Sequence, residues 1–359
     1  MTLMKLCRLS YHAFDKYDTP SYYKVCAISR AVGILSARNK SLKRGVSTKK
    51  PYAVKSILTS CYGFKVEGGR LKVPLGSRRY AEIPLNRHTL QVLSEPALKV
   101  RSFTLSANST LSLCISKEVK EREVTTTAGV DRNLRNVTYG NCRRAVQYYL
   151  GKAVNIAELT RSIISSFKRN DVRIRRRIAI KYGKRRATRI RQMLHWSTKQ
   201  MVKMAIDDSE AIVLEDIRGI RKPYQKGNGQ GPKYRGILNS WSFFEVQRQI
   251  EYKARWEGIP TARLTGYETR GTSSRCPKCG ERLQWADRED VQHRRQLWCR
   301  TCQRWLDRDV AAVMNQSLKG WVRLAHSKGE ACEAMKGNQT TPVILRVDAS
   351  KSGCRQSSR

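Results

Sequence analysis

Four cysteines constrain this chain more than any other feature. They fall in two CxxC pairs, Cys276 and Cys279 in RCPKCG and Cys299 and Cys302 in CRTCQ, with nineteen residues between the pairs. Each CxxC sets two sulfurs on one tight knuckle, so one pair supplies half a tetrahedron and the second closes it, which is the spacing of a four-thiolate zinc ribbon. A unit the size of residues 271–303 has too little apolar core to fold by burial alone, so metal binding supplies its folding energy. Unrelated buried thiols are the competing reading, and two matched knuckles rarely arise by accident. The other seven cysteines (Cys7, Cys26, Cys61, Cys114, Cys142, Cys332, Cys354) are scattered and read as ordinary thiols of a reducing compartment.

With 359 residues, 40% of them hydrophobic, the chain is long enough for two or three domains with cores of their own. Its charge narrows the partners. Seventy-one Lys and Arg against 29 Asp and Glu leave +42, a field that favours a polyanion and makes binding steeply salt-dependent. No run of about eighteen apolar residues exists to span a bilayer, and the first residues lack the apolar core and cleavage site of a signal peptide. The expected location is therefore the cytoplasm.

Residues 1–60 read as a basic helical segment, with Asp18, Thr19 and Pro20 opening a helix that Gly45 and Pro51 stop. From 61 to 122 the apolar period falls to two, in LKVPL, YAEIPL, LKVRSFTLS and TLSLCISKEV, with SANST as a hairpin turn; a small antiparallel barrel or sheet is expected. Residues 123–270 and 304–322 carry a different order. TTTAGVD is a strand, RNLRNVTYGN a turn and returning strand, and AVQYYL a third strand. A long helical stretch over 158–206 comes next, then the strand AIVLED, a Gly- and Lys-rich loop over 219–236, a helix over 242–256, the strand PTARLTGY, the ribbon, and a final helix. This is the order of an α/β RNase H-like fold with a ribbon inserted before its last helix. Residues 323–359 read as a largely disordered tail.

The long helical stretch holds fifteen Lys and Arg between positions 161 and 203 against one acid, Asp171. A solvated face so one-signed would repel itself without an anion alongside. Arg173, Arg175, Arg176, Arg177, Lys184, Arg185, Arg186 and Arg189 are the expected nucleic-acid contacts.

Three carboxylates stand where chemistry is expected. Asp131 and Glu215 each end an apolar β-run, where an uncompensated charge is costly to bury, and Asp309 opens the last helix. Ligands of open α/β sheets gather beyond the carboxyl ends of the strands. Three acids around one point repel unless divalent cations sit among them, and two Mg²⁺ ions so held support phosphodiester hydrolysis. The plainer readings are a turn cap for Asp131, a helix cap for Asp309, and salt bridges from Glu215 and Asp216 to Arg218 and Arg221. Asp307 is a rival for the third position and Asp216 a weaker one for the second.

The segments GVDRNLRNVTYG, IVLEDIRGI, RGTSSRCPKCG, CRTCQ and DRDVAAVMNQSLKG resemble, in order and spacing, the RuvC-like and zinc-ribbon motifs of the TnpB (OrfB) family of insertion-sequence proteins, relatives of compact type V CRISPR effectors. The resemblance covers residues 119–320. It implies an RNA-guided DNA endonuclease with a RuvC-like core, a guide RNA from the transposon end, target DNA, structural Zn²⁺ and catalytic Mg²⁺. Carried over by motif, Asp131, Glu215 and Asp309 match the catalytic acids, and Cys276, Cys279, Cys299 and Cys302 match the zinc ligands. Such proteins have been described as probable transposases. They carry Asn in a DxNAA pattern where Ala311 stands here, and they open with a strand ahead of the region that residues 1–50 resemble, which implies a shortened N-terminus. Two other functions compete: a guided DNA binder or decayed copy that no longer cuts, and a zinc-ribbon RNA-binding protein.

Overall fold

Apolar residues recur at helical spacing up to about residue 43 and alternate from residue 57, and the elements change type with them. The structure, a computed structural model, describes residues 2–52, 56–76, 79–167, 171–217, 229, 231–241, 243–286, 290, 295–328 and 343–349. The chain divides into two compact units, Met1–Glu118 and Val119–Arg359.

In the first unit α1 (Leu3–Ser10), capped by the Thr2 hydroxyl, precedes α2 (Ser21–Lys43), which starts directly after Pro20. Then come β1 (Ile57–Ser60), β2 (Lys65–Glu67), β3 (Arg70–Gly76), β4 (Arg79–Pro84), α3 (Arg87–Leu93), β5 (Lys99–Ser106) and β6 (Thr110–Ser116). The strands form two antiparallel sheets, β1-β5-β6 and β2-β3-β4. Leu71 and Val73 of one sheet and Phe103 of the other are buried in one cluster, so side-chain packing, not shared strands, unites them. Two expectations change here. Residues 57–60 are not part of a helical segment but pair with β5, and RHTLQVL forms α3, started by the Asn86 side chain accepting the Thr89 N–H at 2.8 Å.

The second unit begins with β7 (Thr126–Arg132), β8 (Asn136–Gly140) and β9 (Arg144–Tyr149), an antiparallel meander. The helices α4 (Gly151–Ser166) and α5 (Val172–Asp207) follow, so the single helix expected over 158–206 is two, with Phe167 extended at the end of the first. Ala153, Val154, Ile156 and Ala157 of α4 and Leu194, Met201 and Val202 of α5 bury their apolar stripes in the main core. β10 (Glu210–Glu215) lies parallel to β7. In the expected loop over 219–236, residues 218–228 and 230 lie outside the described residues, and α6 (Pro232–Ser240) occupies the rest. α7 (Phe243–Trp256) buries Val246, Ile250 and Ala254, one face at a spacing of four, and β11 (Thr261–Leu264) pairs parallel with β10.

The ribbon is a sheet of β12 (Gln284–Trp285), β13 (Gln296–Cys299) and β14 (Arg304–Asp307). Residues 304–307, expected in the core, are thus its third strand, and α8 (Arg308–Lys328) follows with no residue between. α8 lies close on β7: the Thr127 and Ser317 hydroxyls each donate to the other residue's carbonyl at 2.7 Å.

The tail expectation is also corrected. α8 continues to Lys328, and β15 (Val343–Asp348) adds to the sheet parallel to β9; the remaining tail residues lie outside the described ones. The sheet order is β11-β10-β7-β8-β9-β15. Among the described residues no helix is long and apolar enough to cross a membrane.

Candidate active site and metal centre

The ladder between β7 and β10 ends with Val130 opposite Leu214, and the next residue on each strand is an acid, Asp131 and Glu215. In-register residues of parallel strands point to the same face, so two carboxylates stand side by side at the carboxyl end of the sheet. Asp309, in the first turn of α8 and 3% exposed, is the third. Burial first, then the charges of Glu215 and Asp309, push the Asp131 carboxyl up to about 7, against a hydrogen bond from Asn133 that favours its ionised form. Burial also raises Glu215, opposed by the charge of Arg132.

Neutral and cationic donors hold these acids. Asn133 Nδ2 donates to Asp131 Oδ2 at 2.7 Å. Asn136 Nδ2 and Arg295 Nη2 donate to Asp309 Oδ2 at 2.8 and 2.6 Å. Arg132, 4% exposed, reaches Gln247 Oε1 at 2.8 Å and also the backbone carbonyl of Glu215. Sequence reading missed these residues, although Asn136 opens a strand buried along its whole length, and a buried amide there needs a partner.

The rivals separate by geometry. Asp307 Oδ1 accepts the N–H groups of Asp309 and Val310 at 2.9 and 3.2 Å, so Asp307 is the helix cap and Asp309 is free of that role. Asp216 donates its backbone N–H to the Leu264 carbonyl, and the charges that raise Asp131 most are those of Glu215 and Asp309. Arg218 and Arg221 lie outside the described residues.

The four cysteine sulfurs lie within 4.8 Å of one another, with Cys276 to Cys302 at 3.8 Å and Cys279 to Cys299 at 3.5 Å. A tetrahedron of thiolates around a zinc-sized ion has edges of roughly 3.8 Å, so the set fits a tetrahedral, thiophilic ion. Gly280, after the first knuckle, has φ +75° and costs nothing there; Gln303, at the same place in the second, has φ 47°. Behind the sulfurs Leu283, Leu297, Leu306 and Ala311 form the ribbon's apolar floor, so the position where the family's Asn is expected faces that floor. Among the described residues the cysteines are the one group drawn together this tightly. The carboxylates are a looser set, suited to a hard cation that also takes phosphate oxygens and water.

A cleft of about 340 Å³ opens at Asp309, lined by Asn133, Asn136, Trp285, Arg295 and Arg308 among others. Farther along, Lys184, Arg185, Arg186 and Arg189 of α5 line a groove against Leu159 and Ile163 of α4. Arg176 and Arg177 are exposed on the same helix, whereas the side chains of Arg173 and Arg175 lie outside the described residues.

Residues 243–316, from α7 through the ribbon to the first half of α8, match the Cas12f1-like, TNB domain family. TnpB-like protein MJ0751 of Methanocaldococcus jannaschii is 25% identical over 267 residues, 70% of this chain and 91% of that protein. The chain is thus similar to a TnpB-like protein over most of that protein's length. A cryo-EM structure of a Cas12f1–sgRNA–target DNA complex aligns with this chain at a TM-score of 0.55 and 12% identity, covering 88% of this chain and 74% of the other. That likeness is one of fold alone.

Proposed function

We propose that this protein is an RNA-guided, Mg²⁺-dependent DNA endonuclease of an insertion sequence. The observation that carries the reading is the pairing of Asp131 with Glu215 at the carboxyl ends of adjacent parallel strands, with Asp309 acting on Asp131 from α8. A charge of +42 supplies affinity for nucleic acid, and the relatives' names supply the guided class. Asp131, Glu215 and Asp309 would hold Mg²⁺, and Cys276, Cys279, Cys299 and Cys302 would hold structural Zn²⁺. Two Mg²⁺ ions in such a site supply an activated water and a stabilised leaving oxygen for phosphodiester hydrolysis. Asn133 and Asn136 orient the carboxylates, and Arg132 balances the charge of Glu215. Guide RNA from the transposon end and target DNA are the proposed partners, with the basic groove of α5 as one contact.

The test is cleavage. The protein is co-expressed with RNA from the flanks of its gene, and the purified complex is given a plasmid library of randomised target-adjacent sequence with Mg²⁺ or EDTA. Mg²⁺-dependent cutting that Asp309→Ala abolishes, with DNA binding retained, is expected. Binding without cutting by the natural chain would support the second reading, a guided DNA binder. The ion pair between Arg295 and Asp309, which occupies an oxygen the cation needs, favours that reading.

A further inference from the structure

We propose that the C-terminal strand β15 positions the active site, with Arg346 and Gln147 acting on Asp309 through Asp307. The inference rests on the nuclease reading above. In place of the largely disordered tail expected from the sequence, β15 pairs with β9 over six residues, from Val343 opposite Arg144 to Asp348 opposite Tyr149. The strand is anchored on both faces. Ile344 packs with Val310, Val313 and Met314 of α8, while Val347 and Ala349 join the main core.

From that strand an unbroken chain of hydrogen bonds runs to the third acid. Arg346 Nε donates to Gln147 Oε1 at 3.1 Å. Gln147, 7% exposed on β9, donates through Nε2 to Asp307 Oδ1 at 3.1 Å. The same Asp307 oxygen accepts the N–H groups of Asp309 and Val310, and Arg346 Nη2 stands 3.8 Å from its other oxygen. One carboxylate therefore fixes the start of α8, and its own rotamer is fixed by an amide that has little alternative, because its oxygen is claimed by Arg346. Removing Arg346 frees Gln147 to turn; removing the amide frees Asp307. Either change leaves Asp309 present but no longer held, and outer residues of this kind set the affinity of a metal site without touching the metal. Arg346 and Gln147 are positioning residues.

The test uses the full chain with its RNA. Single-turnover cutting is followed against Mg²⁺ concentration for Arg346→Ala, Arg346→Lys and Gln147→Leu. Amide exchange of residues 308–312 is followed in the zinc-loaded chain without Mg²⁺. Expected are a cutting rate reduced about tenfold and a raised Mg²⁺ requirement for the Ala and Leu variants, with target binding unchanged. Lys at 346 restores most of the rate, and exchange at the start of α8 quickens in the Ala and Leu variants. Unaltered Mg²⁺ dependence and exchange would overturn the inference, and so would a parallel loss of DNA binding, which would mark a general folding role. If the natural chain does not cut, the nuclease reading fails, and the exchange data alone decide whether β15 holds α8.

Discussion

Asp307 and Asp309 divide two jobs that a reader of DRD would assign to one residue. The first accepts the N–H of the second at 2.9 Å, and the second is left to meet Asn136, Arg295 and the field of Asp131. Thermal unfolding separates the roles. Asp307→Ala should cost about 1 kcal/mol, a lost helix cap, while Asp307→Asn, which keeps the acceptor, should recover most of it. Asp309→Ala should abolish cutting without that capping loss.

The proton on Asp131 gives a pH signature. Burial pushes the carboxyl up to about 7 in the folded chain from the ordinary carboxylate value of 3.8, so between these the folded state binds a proton that the unfolded chain does not. The stabilisation is fully present below the unfolded value and lost as pH rises through about 7. With zinc bound and Mg²⁺ left out, the melting temperature should therefore fall between pH 5 and pH 8 by more in the natural chain than in Asp131→Asn. Added Mg²⁺ should raise it more at pH 8 than at pH 6, where the proton competes. Equal pH slopes in the two proteins would sink the idea.

The second zinc knuckle carries a strain that the first avoids. Gln303→Gly should stabilise the ribbon by about 1 kcal/mol, because Gly populates positive φ without the side-chain penalty. The paired rings of Trp298 and Trp305, 5.3 Å apart on β13 and β14, offer the reporter. Chelation of zinc should shift their emission to the red, and the Gly variant should require more chelator.

Gly129 lies beneath α8, where an added Cβ would run into the Val313 carbonyl oxygen and come within 2.8 Å of Gln316 Cβ. Gly129→Ala should cost about 1–3 kcal/mol by overpacking. Because the displaced element carries Asp309, cutting should fall further than stability predicts, with guide RNA binding retained. Calorimetry beside a cleavage assay checks both.

The acids and cysteines were legible because each is tied to local pattern. Asp131 and Glu215 stand at the ends of short strands buried almost throughout, and the knuckles are fixed by spacing. The two-sheet form of the first unit was not, since LKVPL and TLSLCIS read alike whichever sheet takes them, and partner choice is non-local. β15 was hidden for another reason: VILRVD is a short apolar run in a polar tail, and only β9 gives it a neighbour. Asn136, Gln147 and Arg295 escaped because a lone polar residue acquires meaning from the carboxylate it faces, which sequence distance conceals.

With no residue between β14 and α8, the cysteine cluster and Asp309 hang on one continuous stretch of backbone. The ribbon cannot tilt without swinging Asp309. On the proposed reading, a newly made chain that has not yet taken up zinc would hold Asp309 less firmly, and cutting would wait until the ribbon closes. Zinc would then act as a safety catch on a reaction in which it takes no part.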